Sequence, residues 1–271
     1  YVLDEATISD FDFDIKLKQL QYLEEAHPEF YDENSPTLRV GGGITKNFET
    51  IKHDFKMYSL SNSYSKSDLE DWEKRNRKII EGAIAYVCEL KYDGASINLT
   101  YENGVLLRAV TRGDGTQGDD VTINIKTINS VPLKLKGDFP DRFDIRGEIV
   151  LPFEGFNNMN KQRILEGEEP YRNPRNTASG SLKLQDSSEV AKRPLDCLLY
   201  HMVGDKLPIQ TQYESLDLAR KLGFKVPTIS RLVTTIPEVI KFVEYWDQHR
   251  HNLPYEIDGV VIKVNSLFQQ E

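Results

Sequence analysis

One dipeptide constrains this fold more than any other feature: Asn103-Gly104, set between the alternating runs "ASINLTY" and "VLLRAVTR". Asn-Gly tolerates left-handed backbone at both central positions of a type I′ turn, whose twist matches the flanking strands. The two runs are therefore predicted to be antiparallel neighbours. Further period-two runs stand at "VCELK", "DIRGEIVL" (144–151), "DCLLYHMV" (196–203) and "DGVVIKV" (258–264). Helices are predicted between them. Thr211 with Glu214 reads as a capping box for a helix ending at Gly223, and Thr235 with Pro237 and Glu238 starts one that buries Ile240, Val243 and Trp246. Ser67 with Glu70 reads as a third box, for a helix that buries Leu69, Trp72, Ile79, Ile80 and Ala83 and ends near Gly82. Hairpins with separate helices imply an α+β fold, mainly antiparallel.

Charge divides the chain. Residues 1–35 carry ten carboxylates against Lys16 and Lys18, a net −8, so the other 236 residues hold only −1 of the total −9. In this acidic segment Asp10 can cap a helix with Phe13, Leu17, Leu20 and Leu23 at spacing three to four, ending near His27-Pro28. "NSPTLRVGGG" then reads as loop, with Gly41, Gly42 and Gly43 as a flexible joint. With 39% hydrophobic and 28% charged residues, the chain suits a soluble globular protein, and no apolar run approaches a membrane span. Cys88 and Cys197 lie in apolar runs, read as buried thiols and favour a reducing, cytoplasmic setting. Neither has a partner at zinc-ligand spacing.

Several short motifs could carry chemistry. In "ELKYDG" a strand would place Glu89, Lys91 and Asp93 on one face. That is either a surface ion-pair ladder or a reactive amine in an anionic pocket. A lysine nucleophile must be neutral, which burial or a nearby cation favours and carboxylates alone oppose. In "TRGDGTQGDD" the glycines at 113, 115 and 118 match a dinucleotide fingerprint. The preceding strand is a hairpin arm, however, so the βαβ context is missing. Arg112 leaves that strand where a phosphate or carboxylate could be gripped. Arg146 and Glu148 would share a strand face and read as a cross-strand salt bridge. Lys263 alternates with apolar neighbours and needs a partner or an anion. "NPRNTASGSLK" reads as an ordered loop offering Arg175 and Lys183 to phosphate.

The order of these motifs is more specific than any one of them. Lys-x-Asp-Gly, Arg-Gly-Asp-Gly, Arg-Gly-Glu, "NPRN..SGSLK" and Glu-x-Asp-Gly-Val-Val-x-Lys together resemble the adenylation segment of the bacterial NAD-dependent DNA ligases, over nearly the whole chain. The resemblance implies an ATP-grasp-like nucleotidyltransferase domain at 44–271, after a small helical nicotinamide-mononucleotide-binding subdomain at 1–40. It implies that Lys91 becomes adenylated, with Asp93 and Gly94 completing its motif. Glu89 would read the adenine amino group, Ser59 and Leu60 would line the nucleotide site, and Tyr200 would stack on adenine. Arg112 and Glu148 would meet ribose and phosphate, and Lys263 the α-phosphate.

Tyr1, Asp10, Phe13 and Asp14 match the clamp for nicotinamide mononucleotide, where an acidic, aromatic cup suits a cationic ring. Phe13 stands where the family usually has tyrosine, so one hydroxyl contact is lost, and Thr7 replaces a usual proline. NAD as substrate, Mg2+, nicked double-stranded DNA and a cytoplasmic monomer follow from the same resemblance, with no fixed protein metal site in this stretch. The chain begins at Tyr1 and stops at Glu271, before the family's last lysine motif. It is therefore expected to be a fragment, with zinc bound only elsewhere in the full protein. Two rivals remain: an ATP- or GTP-using nucleotidyltransferase, which would not need residues 1–35, and a nucleotide-binding module without turnover.

Overall fold

The computed structural model describes residues 10–30, 32, 35–37 and 48–270, the side chains of residues 10–14 excepted. The expectations for Tyr1, Thr7, the glycines at 41–43 and the side chains of Asp10, Phe13 and Asp14 lie outside the described residues. Helix α1 (Asp10–Ala26) ends one residue before His27, and a 3-10 turn follows at Pro28–Phe30. Its apolar stripe is only partly covered: Leu17 and Leu20 are half-buried and Leu23 is exposed.

The Asn-Gly turn forms as expected, with φ +50° at Asn103 and +76° at Gly104. It joins β3 (Ala95–Glu102) to β4 (Val105–Thr111). On the other side of β3 lies β6 (Arg142–Val150), and β7 (Asp196–Val203) follows, giving an antiparallel sheet in the order β4-β3-β6-β7. Its core includes Tyr101, Phe143 and Phe224, with Tyr101 stacked on Phe143 at 5.6 Å and edge-on to Phe224 at 5.1 Å. All three are at most 1% exposed. Each fully buried side chain of this size stabilises the fold by about 1.5–3 kcal/mol.

Strand β2 (Tyr86–Tyr92) precedes β3 by two residues yet belongs to a different sheet, between β8 (Ser230–Val233) and β9 (Ile257–Val264). Asp93 and Gly94 are where the chain crosses from one sheet to the other. Gly94 permits the crossing, because a Cβ there would collide with the backbone carbonyl oxygen of Ile149. The Asp93 amide donates to Glu256 O at 2.9 Å, which ties the crossing to the start of β9. A small pair, β1 (Thr50–Lys52) with β5 (Gln117–Asp119), closes the side near Arg112.

The helices cover these sheets. The helix predicted from Ser67 and Glu70 is α2 (Lys66–Ile79), capped two residues earlier by Ser65 with Asp68. The helix stops at Ile79, so the stripe is shorter than read: Leu69, Trp72 and Ile80 pack against the β2 sheet, whereas Ile79 is 80% exposed and Ala83 is exposed. The capping boxes at Thr211 and Thr235 form as read and start α7 (Gln212–Lys221) and α8 (Ile236–His249). In α8 the buried side chains are Ile236, Val239 and Phe242, with Ile240, Val243 and Trp246 only partly buried.

The stretch 173–183 is not a loop. Asn173 caps α5 (Pro174–Leu182), with Pro174 in its first turn. Asn-Pro serves equally as a turn and as a helix start, and the small residues let this helix bury Thr177, Ala178 and Ser181. The remaining helices are α3 (Thr122–Ile125), α4 (Phe153–Leu165), α6 (Ser187–Ala191) and α9 (Leu267–Gln270), with a 3-10 turn at Arg250–Asn252.

Candidate functional site

Of the residues singled out in the sequence, Glu89, Lys91, Asp93, Glu148, Arg175, Tyr200 and Lys263 lie close together where the two larger sheets meet. Lys91, near the end of β2, is 40% exposed at its side chain and touches neither Glu89 nor Asp93. Its ammonium donates to Asp258 Oδ2 of β9 at 2.6 Å. That hydrogen bond holds the Asp258 carboxyl below its usual value. Asp93 instead accepts from Arg175 of α5 at 2.6 Å. The ion-pair ladder, one of the two readings of this stretch, is therefore absent: a register shift between Leu90 and Tyr92 disturbs the end of the strand and each charge meets a different element.

Deeper in the same strand, Glu89 is 6% exposed. It pairs with Lys263 of β9 at 3.0 Å and accepts from the side-chain amide of Gln212 at 2.9 Å. A buried carboxylate is tolerable only with such partners. The Lys263 ammonium also lies 5.1 Å from the centre of the Tyr200 ring, within cation–π range. Burial pushes the phenols of both Tyr92 and Tyr200 up, Tyr92 to about 12. Nearby, burial pushes the Glu148 carboxyl up to about 7, against the opposing pull of the Ser96 hydroxyl at 2.8 Å and the charges of Lys91 and Arg175.

Arg146 and Glu148 do not form the salt bridge read from their spacing. The strand shifts register between Arg146 and Gly147, and Arg146 donates to the backbone oxygens of Phe55 and Lys56, both at 2.9 Å. Those contacts anchor the irregular segment that carries Ser59 and Leu60, both exposed. Arg108 and Arg142 add ion pairs to Asp54 at 2.8 and 2.9 Å. Arg112 is exposed and its guanidinium has no ion pair among the described residues. Its carbonyl accepts from the Gly115 amide at 2.9 Å and lies 3.2 Å from His53 Nε2. Lys183 is engaged by Asp119 at 2.8 Å.

The 113–118 glycines form a turn rather than a helix entrance. Asp114 Oδ1 accepts from the Thr116 hydroxyl and amide, both at 2.7 Å, and from the Gln117 amide, bonds that hold its carboxyl at about 2. Both cysteines are buried free thiols, as read. Sequence reasoning passed over three residues here: Asp258, Gln212 and Ser96. Asp258 lay inside a quoted motif and could have been found there. Gln212, beside a capping threonine, carries no sequence signal for burial.

The site contains a partly exposed amine against a carboxylate, a buried carboxylate–ammonium pair beside an aromatic ring, and a carboxyl that titrates near neutrality. Together these can bind an anionic, aromatic ligand and present it to a nucleophile.

Comparison with known proteins bears on what that ligand is. Residues 45–271 match the family model described as NAD-dependent DNA ligase adenylation domain, and residues 1–41 match DNA ligase-like, N-terminal NAD+-binding domain. A DNA ligase from Christiangramia forsetii is 69% identical over 271 residues, and one from Flavobacterium johnsoniae is 67% identical over 272. One from Parabacteroides distasonis is 52% identical over 271 residues. Each alignment covers 100% of this chain and 41% of the relative, so the chain spans about two fifths of their length. Among solved structures, a mycobacterial DNA ligase D complexed with ATP and MES gives a TM-score of 0.36 at 14% identity, covering 67% of this chain and 49% of that one.

Proposed function

Because the chain belongs to the family of NAD-dependent DNA ligase adenylation domains, we propose that Lys91 is the amine that takes AMP from NAD. The observation that carries this reading is the Lys91–Asp258 contact at 2.6 Å: a partly exposed lysine whose amine a carboxylate holds in place at the sheet junction. To react, the partly exposed ammonium gives a proton to solvent and leaves Asp258. The neutral Nζ attacks the α-phosphorus of NAD, an N–P bond forms, and the P–O bond to nicotinamide mononucleotide breaks.

Lys263 would exchange its present partner Glu89 for the α-phosphate oxygens and neutralise charge there. Tyr200 would cover the adenine, Glu89 would accept from its amino group, Ser59 and Leu60 would line the pocket, and Arg112 and Glu148 would meet the ribose and phosphate. The half-exposed carboxylate of Asp258 offers hard oxygen donors of the kind that suit magnesium, an ion that takes one or two carboxylates and completes its shell with phosphates and water. When bound, that ion would offset phosphoryl charge.

The acidic unit at 1–40 would hold the nicotinamide half through Tyr1, Asp10, Phe13 and Asp14, and the 44–271 domain would hold the rest. In the whole protein, read as a cytoplasmic monomer with zinc elsewhere, AMP would pass to the 5′-phosphate of a nick in double-stranded DNA. Arg175 and Lys183 would exchange their present carboxylate partners for DNA phosphates.

Intact-mass measurement after exposure to NAD with magnesium tests the reading. One added adenylyl group, mapped to Lys91, is expected. Labelling by ATP but not NAD would favour an ATP-using transferase, and no adduct with either would leave a binding module.

A further inference from the structure

The side chain of Gln212 is wholly buried at the junction of the two larger sheets, and all its polar atoms are engaged. Its Nε2 lies 2.9 Å from Glu89 Oε1 and 2.8 Å from the backbone oxygen of Tyr200. Both partners are acceptors, so the atom facing them is the NH2 group and both its protons are used. The Gln212 oxygen then faces His201 Nδ1 at 2.9 Å, which must carry the ring proton. His201 supports that assignment: burial and the Lys263 charge push its imidazole down to about 4, leaving it neutral with one N–H.

The helix that presents Gln212 is itself pinned. Its amide donates to Asn265 O at 2.7 Å, and the Tyr213 amide to Asn265 Oδ1 at 3.1 Å, two residues beyond Lys263 on the chain. Hydrogen-bond polarity thus runs one way, from His201 through Gln212 to Glu89. A reversed amide would set its oxygen against the carboxylate and the Tyr200 carbonyl.

We propose that Gln212 is a positioning residue that fixes Glu89 as an acceptor and so sets a preference for a 6-aminopurine over a 6-oxopurine. This deepens the NAD reading and rests on it. A 6-amino group donates to a carboxylate held in this way, whereas a 6-oxo group presents lone pairs to it. Without Gln212, Glu89 loses the amide donor that orients its Oε1. Discrimination should then fall more than turnover does.

The test is adduct formation by the full-length protein with NAD and with nicotinamide hypoxanthine dinucleotide. Gln212→Met should lower the ratio of the two kcat/KM values about tenfold, the size expected when one hydrogen bond to a charged group is lost. Most of the change should appear in KM for NAD. Equal losses with both dinucleotides would overturn the assignment and leave Gln212 a packing residue. If Gln212→Met does not fold, His201→Phe decides: it removes the donor that sets the amide's direction and should also lower the ratio, and an unchanged ratio would overturn the proposal. A wild-type protein that forms no adduct with NAD would overturn this inference together with the reading beneath it, an outcome distinct from an unchanged ratio.

Discussion

Lys91 and Asp258 lie 2.6 Å apart across a sequence separation of 167 residues, while Glu89 and Asp93, two positions either side of the lysine, bond elsewhere. The pair depends on β2 and β9 being hydrogen-bonded neighbours. The side chains are 40% and 55% exposed, so the pair's contribution to stability is about 0–1 kcal/mol. Asp258→Asn should therefore shift Tm by no more than about 4 °C. The same change should slow adenylation at least about tenfold, since it removes the group in contact with the reacting amine. Calorimetry and single-turnover labelling test the two halves. A large loss of stability with unchanged labelling would reverse the assignment.

Glu148 makes stability depend on pH. Its folded value of about 7 stands above the ordinary 4.5, so between those values the folded state binds the extra proton. Stability then falls as pH rises from about 4.5 to about 7 and is level above that. The full effect is on the order of 3 kcal/mol. Denaturant unfolding at pH 5 and pH 8 should show this fall in the wild type and a much smaller one in Glu148→Gln. Equal slopes in the two proteins would assign the pH dependence to another group.

Tyr200 presents one ring face toward the Lys263 ammonium. If the ring also covers adenine, Tyr200→Ala should weaken AMP binding about 5- to 150-fold, the equivalent of ~1–3 kcal/mol of stacking. Tyr200→Phe keeps the ring and should bind AMP nearly as the wild type does. Titration calorimetry distinguishes the two, and a large loss in the phenylalanine variant would mean that the hydroxyl carries the effect.

Gly94 has no room for a side chain, since a Cβ would meet the carbonyl of Ile149 and crowd Glu148. Gly94→Ala should cost at least about 2 kcal/mol by forcing backbone movement where the two sheets meet. It should also reduce labelling of Lys91, because the lysine stands three residues away on the displaced strand. Denaturant titration with parallel labelling checks both, and a fully stable, fully active variant would show that the crossing is looser than its packing indicates.

Much of this protein was legible from local chemistry. The Asn103-Gly104 hairpin and the boxes at Thr211 and Thr235 form as read, because turn and cap geometry depend on residues within about four positions of one another. Two local readings were displaced: Ser65 rather than Ser67 caps α2, and the Asn-Pro at 173–174 starts a helix rather than a loop. The order of motifs along the chain identified the family before any coordinates.

The sequence could not show that β2 and β3, two residues apart, enter different sheets, nor that Lys91 would find Asp258 and Arg146 the carbonyls of Phe55 and Lys56. Those contacts join residues 90 or more positions apart. They exist only once the strands are ordered in space, because strand periodicity gives the face a side chain takes and not the element it meets. Gln212 is the clearest case: a polar residue at a helix start, it becomes wholly buried only because β2, β7 and the end of β9 close around it.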